Sequence, residues 1–240
     1  LMLGFTPADQ AGRILKNDMT QAVPNLAIAE AYSSAAVHAG GTMKVHIKLD
    51  TGMGRLGFQC DDAHFNASLR DILKILTLPG LDVEGVFTHF SVSDEDTEES
   101  VAFTKLQHER FARMIEKVET QSGFRFQLHH CCNAGGIASY PEWAWDMVRC
   151  GIILYGSGDL AEKMGMQPVM SLKTRVATIK DFAAGEPISY GRTLRSGPAA
   201  LRSCPSATPT ACTARSRIRS KCSRPMAAPS RSGASAWICA

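Results

Sequence analysis

Strand-sized apolar runs recur along the first 156 residues, with helix-length amphipathic stretches between them. The runs are KVHIKLD (44–50), VEGVFTHF (83–90), FQLHHCCNA (126–134) and MVRCGIILYG (147–156). KVHIKLD alternates, is rich in β-branched residues and ends at the turn-forming DTGMG, as a strand running into a loop does. DDAHFNASLRDILKIL (61–76) opens with acids suited to a helix N-terminus. SVAFTKLQHERFARMIEKVETQ (100–121) spaces Val101, Leu106, Phe111, Ile115 and Val118 roughly along one face. Strand, helix, strand, helix is the order of parallel βα units, because a parallel neighbour needs a crossover that a helix supplies. Their even repetition favours an α/β barrel of the (β/α)8 type over an open sheet.

The pattern changes after Gly156. SGDLAEKMGMQP (157–168) has loop chemistry, and SLKTRVATIKDFAAGEPISYG (171–191) reads as a long strand, a glycine-containing turn and a second strand, with no helix. The expected organisation is a partial barrel over residues 1–157, the start of an all-β domain over 158–194, and a separate tail over 195–240. The first residues, LMLGFT, begin inside an apolar strand-like run, so a chain cut from something longer is expected.

Charge separates the tail from the body. The last acidic residue is Glu186, and residues 1–194 carry 18 basic against 23 acidic side chains, a net of −5, although the whole chain is +3. A mildly acidic body offers no general support for nucleic-acid binding. No apolar run approaches the roughly 18 residues of a membrane span, and the N-terminus lacks the basic start and cleavage site of a signal peptide. The cysteines form no CxxC pair and no zinc spacing. Free thiols in a reducing cytoplasm are therefore expected.

In a barrel of this kind, chemistry collects where strand C-termini meet their following loops. The residues placed there are Lys48, Asp50 and Arg55 after the first run, and Thr88 and His89 after the second. His129, His130 and Asn133 follow the third run, with Arg149, Gly151 and Ile152 on the fourth. This is a cationic, hydrogen-bonding set with backbone N–H groups freed by glycines, suited to an anionic, phosphate-bearing ligand. Taken singly, each has a plainer reading: solvated ion pairs for Lys48 and Arg55, a structural histidine at His89, an ordinary loop at NAGG. DEDTEE (94–99) reads as a solvated helix start, and Trp143 and Trp145 as packing residues.

The motifs KVHIKLDTGMGRLGF, VEGVFTHFSVSDE, NAGGIASYPE, MVRCGIILYG and SLKTRVATIKDFAAGEPISYGRT stand in the order and spacing of bacterial alanine racemases. The chain resembles that family over about residues 2–194. The resemblance implies a pyridoxal 5′-phosphate (PLP) barrel followed by a β-domain, a cytoplasmic homodimer, and interconversion of L- and D-alanine by two bases, supplying D-alanine for peptidoglycan. By position, Arg149 matches the arginine facing the cofactor's pyridine nitrogen, and His89 the histidine that buttresses it. Asn133, Gly151 and Ile152 match phosphate and ring contacts. Arg55 matches an arginine near the substrate carboxylate, Tyr190 a tyrosine at the substrate entrance, and Lys48 a lysine carbamylated in many members. Ala134 stands where the family usually has serine, and Cys150 where it usually has proline. No lysine stands in the family's cofactor-anchoring motif, which lies upstream of LMLGFT, so this chain by itself is expected to be inactive. The alternatives are a broad-specificity or serine racemase, a non-catalytic PLP carrier, and a truncated product without function.

The family's second base lies in a GYADG motif and a substrate contact in GRICMDM; neither is present. Joining the third base of each codon to the first two of the next changes that. PSATPTA (205–211) then permits Ile-Gly-Tyr-Ala-Asp-Gly, and SGASAWIC (232–239) permits Gly-Arg-Ile-Cys-Met-Asp-Met. Both motifs appear in one shifted frame and in the right order. A frameshift near Arg195–Leu201 is expected, with a basic disordered tail or a nucleic-acid arm as the competing readings.

Overall fold

The structure, a computed structural model, describes residues 1–170 and the short segments 178–180, 183, 185–188, 194–195, 201–204 and 237–239. The chain divides into two compact units, Leu1–Val169 and Met170–Ala240.

The first unit is built on a parallel sheet. Its strands are β1 (Gln21–Val23), β2 (Met43–Asp50), β3 (Phe58–Gln59), β4 (Leu81–Phe87) and β5 (Leu128–His130). The path runs β1-β2-β4-β5, with β3 pairing the end of β2 and Met2 bridging to Gln21. Helices cross between the strands: α1 (Ala11–Lys16), α2 (Leu26–His38), α3 (Phe65–Ile75) and α4 (Glu98–Ser122), then the short α5 (Ala134–Ser139) and α6 (Asp159–Lys163). This is the expected α/β barrel architecture, with every described pairing in the unit parallel.

Strand periodicity sorts the side chains into two layers. Val45, Ile47 and Leu49 of β2 join Val23, Val83 and Val86 in a core shared with Tyr32, Ile72, Phe111 and Met114 of the helices. His46 and Lys48 leave β2 on the alternate positions and are also buried. In α2, Ala29, Tyr32, Ser33 and Ala36 are buried at helical spacing, and the Asn25 side chain caps the helix by accepting from Ile28 N–H. α4 begins as expected, with Thr97 capping Ser100 N–H and Glu98 and Glu99 in the first turn.

Two expectations change. MVRCGIILYG is not a strand: it contributes a 3-10 turn, Gly151–Tyr155, in which Gly151 and the following Gly156 take φ of 54° and 62°. Those left-handed conformations cannot belong to an extended run, and the segment joins the end of β5 through bonds such as Arg149 N–H to Cys132 O. On α4, Leu106 is 38% exposed, while Thr104 and Gln107 are fully buried. Gln107 takes the inward position because its amide bonds to Ser91, Thr51 and the His89 carbonyl. β1 and α2 went unremarked in the sequence, the first for its three residues and the second for its alanine-rich, weakly patterned face.

Among the described parts of the second unit, β6 (Thr178–Lys180), β7 (Pro187–Ile188), β8 (Leu194–Arg195), β9 (Leu201–Cys204) and β10 (Trp237–Cys239) are all strands. β6 pairs antiparallel with β9, β7 antiparallel with β8, and β10 parallel with β9. The rest of the expected β-domain and tail lies outside the described residues. No helix among the described residues is long and apolar enough to cross a membrane.

Candidate functional site

The site is built around Arg149. Its guanidinium donates to the carbonyls of Thr88 (2.7 Å), Cys131 (3.0 Å) and His130 (3.2 Å), and to His130 Nδ1 at 2.6 Å. His89 Nδ1 lies 3.5 Å from the same group. These acceptors sit at the C-terminal ends of β4 and β5, where the strands run out and their last carbonyls are open to side-chain donors; the His130 carbonyl also accepts from Thr88 N–H at 3.3 Å. Burial holds the guanidinium down to about 10, opposed by the nearby thiols of Cys131 and Cys132. Arg149 Nε is buried without a hydrogen-bond partner.

Phe87 organises the layer beneath. Its ring stacks on His130 with centroids 4.8 Å apart, and both Lys48 Nζ and Arg149 Cζ lie 5.4 Å from its centroid, a cation–π arrangement. Lys48 is 5% exposed, and burial, followed by Arg55 and Arg149, lowers its pKa. His89 and His130 are held neutral. Burial, then Arg149, Arg55 and Lys48, lowers His89 to about 4, while burial and the Arg149 charge bring His130 to about 2.

The loops after β4 and β5 are tied together by Asn133. Its Oδ1 accepts from Gly136 N–H and Ser93 Oγ–H, and its Nδ2 donates to the Phe90 carbonyl. Gly135 permits the close approach, since a Cβ there would lie 2.6 Å from both Asp94 N and Ser93 Oγ. Above this wall opens a cavity of about 1070 Å³. His89, Asn133, Arg149, Gly151 and Ile152 all line it, as do Ala134, Asp94, Glu95, Asp96 and Asp159. Five sequence-derived positions, spread over more than sixty residues, thus meet at one cavity.

Other candidates fall elsewhere. Arg55 is exposed on the loop after β2, where the Asp50 carboxylate accepts from the N–H groups of Gly52, Gly54 and Arg55. Lys48 sits beneath the cavity wall, and Tyr190 lies outside the described residues. Trp143 packs as expected, stacked between Tyr140 (4.4 Å) and His108 (4.1 Å). Among the described residues no group of His, Cys, Asp and Glu could hold a metal ion. The residue that sequence reasoning undervalued is His130, which holds Arg149 more closely than His89 does. Its signal was present: adjacent residues on a strand face opposite ways, so only one of His129 and His130 could point inward. His129 instead bonds Asp146 and Glu119.

A parallel βα barrel with a buried arginine beyond the ends of its strands, lining a cavity of about 1070 Å³, has its candidate site where βα barrels bind their ligands. Residues 1–159 match the model of the alanine racemase N-terminal domain, and the chain belongs to the alanine racemase family. It is 39% identical over 197 residues to the alanine racemase of Desulforamulus reducens, covering 80% of this chain and 51% of that protein. It is 38% identical over 196 residues to that of Clostridium tetani, covering 80% and 49%. The solved alanine racemase of Clostridium difficile 630 superposes with a TM-score of 0.67 at 33% identity, covering 81% of this chain and 50% of that one. The chain therefore spans about half the length of the relatives it matches. The family uses PLP, and the residues here fit that group: the partnerless Arg149 Nε–H is a buried donor in want of an acceptor such as a pyridine nitrogen.

Proposed function

We propose that the intact protein interconverts L- and D-alanine with PLP, by a two-base mechanism, as a cytoplasmic homodimer supplying D-alanine for peptidoglycan. The observation that carries this reading is the single cavity joining His89, Asn133, Arg149, Gly151 and Ile152 inside the segment matched by the family. When bound, PLP supplies an electron-withdrawing ring that labilises the α-proton of an amino acid.

Arg149 would face the ring nitrogen. An arginine does not surrender its proton at working pH, so it keeps that nitrogen unprotonated and tempers the ring's pull on electrons. His89, held neutral, accepts rather than repels the guanidinium. The backbone of Gly151 and Ile152 would offer N–H groups at the start of a 3-10 turn, where no intrahelical partner exists. Asn133 holds the two loops at the spacing the cavity needs. Arg55 would meet the substrate carboxylate and Tyr190 would line the approach to it. Lys48, whose burial favours the uncharged amine, is suited to carbamylation, and the resulting negative charge would steady Arg55.

The 240 residues carry neither a lysine in the anchoring motif nor the GYADG tyrosine. We therefore assign the racemase activity to a polypeptide that carries both and none to these residues alone. The residues from about Arg195 onward are a shifted-frame reading of the β-domain, supported by the two ordered motifs in PSATPTA and SGASAWIC. Sequencing the DNA tests this directly, since codons that fail to spell both motifs in the shifted frame exclude it. Racemisation of alanine, serine and other amino acids with added PLP tests the activity. Turnover by the 240-residue chain would overturn its assignment as inactive, and a restored product that binds PLP without racemising alanine would overturn the function.

A further inference from the structure

We propose that His46 and His130 form a one-way hydrogen-bonded relay through the barrel interior that positions Arg149, with His46 acting through His130 and the Glu84 carboxylate standing beside the far end of the row. The direction follows from donor chemistry. Arginine has donors only, so His130 Nδ1, 2.6 Å from the guanidinium, must be the bare nitrogen. Its proton therefore sits on Nε2 and is donated to His46 Nδ1 at 2.9 Å. That leaves the His46 proton on Nε2, on the side of Glu84 Oε2 at 3.8 Å, a contact longer than a hydrogen bond. The Glu84 carboxylate is itself held by Thr20 Oγ1–H at 3.0 Å. Each ring is thus confined to one tautomer by its neighbours, and Arg149 sets the sense of the whole row.

The fold makes specific room for it. His46 pairs in register with Gly85, and a Cβ at Gly85 would lie 2.7 Å from His46 Cε1. The β2–β4 register advances from Val45–Val83 to His46–Gly85, skipping Glu84. Such a bulge re-aims the extra side chain, and here the extra residue is the carboxylate beside the far end of the relay. Both rings are essentially inaccessible, with His46 at 2% and His130 at 0% exposure, so water cannot substitute for a missing partner at either ring.

The relay stands on this geometry; its value to the enzyme rests on Arg149 facing the cofactor. The test is nitrogen NMR of imidazole-labelled protein, using the full chain. The wild type should show His130 and His46 both protonated on Nε2, with the His130 proton shifted downfield and slow to exchange. His46→Leu should abolish that proton signal, and His46→Asn, whose Oδ1 falls near the place of Nδ1, should retain it. In the same variants PLP affinity, read from the bound-cofactor absorbance, should fall about 3- to 30-fold for Leu and recover for Asn. A wild-type His130 protonated on Nδ1, or a His46→Leu spectrum unchanged at His130, overturns the relay; the first needs no variant to fold. If the wild-type chain binds no PLP, the tautomers decide the relay alone.

Discussion

Gly85→Ala is the sharpest probe of how this barrel is packed. The added Cβ would stand 2.7 Å from the Leu128 carbonyl oxygen, 2.7 Å from His46 Cε1 and 2.9 Å from His46 Nδ1. Leu128 is backbone within the β4–β5 ladder, directly opposite Gly85, and cannot yield without breaking it. Overpacking of this kind costs about 1–3 kcal/mol. Pushing the His46 ring aside also strands the buried N–H of His130, for about 1–3 kcal/mol more. The expected loss is about 2–6 kcal/mol in urea denaturation followed by circular dichroism. A matched control is Gly12→Ala in α1, where nothing lies within 4 Å of the new Cβ; helix propensity there predicts a gain of about 0.5–1 kcal/mol. In a His46→Ala background the Gly85→Ala penalty should shrink to the Leu128 clash alone, a coupling of about 1 kcal/mol or more. A Gly85→Ala chain within about 0.5 kcal/mol of wild type would refute the packing argument, as would additivity with His46→Ala.

Three further outcomes are expected. Thr97→Ala removes the side-chain cap on Ser100 N–H and should cost about 0.5–2 kcal/mol, measured in the same denaturation assay, with α4 fraying from its first turn. Ala134→Ser places a hydroxyl on the cavity wall where the family usually has one; PLP titration should show about 2- to 10-fold tighter binding, and no change would argue against a phosphate there. Acidification should destabilise the fold. His130 and His46 are held to about 2 and about 4, against 6.5 for the free side chain, so the unfolded chain binds more protons below about pH 6.5 and stability falls with pH through that window. His130 alone contributes a slope of at most about 1.4 kcal/mol per pH unit, and denaturation midpoints that stay flat between pH 7 and 5 would contradict it.

Much of the architecture was legible before any coordinates. β2, β4 and α4 announce themselves because each is long enough to show its period, and the motif order named the family. His89 could be found because it follows the end of β4 inside one of those motifs, and Arg149 because its motif carried it although the segment is not a strand. Short or weakly patterned pieces stayed hidden: β1 has three residues, and MVRCGIILYG looks like a strand until two left-handed glycines bend it. Leu106 gave up its expected inward place to Gln107 because hydrogen bonds to the loops after β2 and β4 outweighed hydrophobic pattern on that turn of α4.

The linear order of residues determined the alternation of strands and helices, the acidic body and basic tail, and the set of polar residues at the strand ends. Local propensity and periodicity act over a few neighbours, and those features need nothing more. Tertiary structure alone decided which of two adjacent histidines turns inward, that Glu84 is bulged out of register, and that four residues from three strands and a loop line up behind Arg149. Such contacts span up to 84 residues of chain, as between His46 and His130, and depend on how the parallel strands register once the sheet has formed.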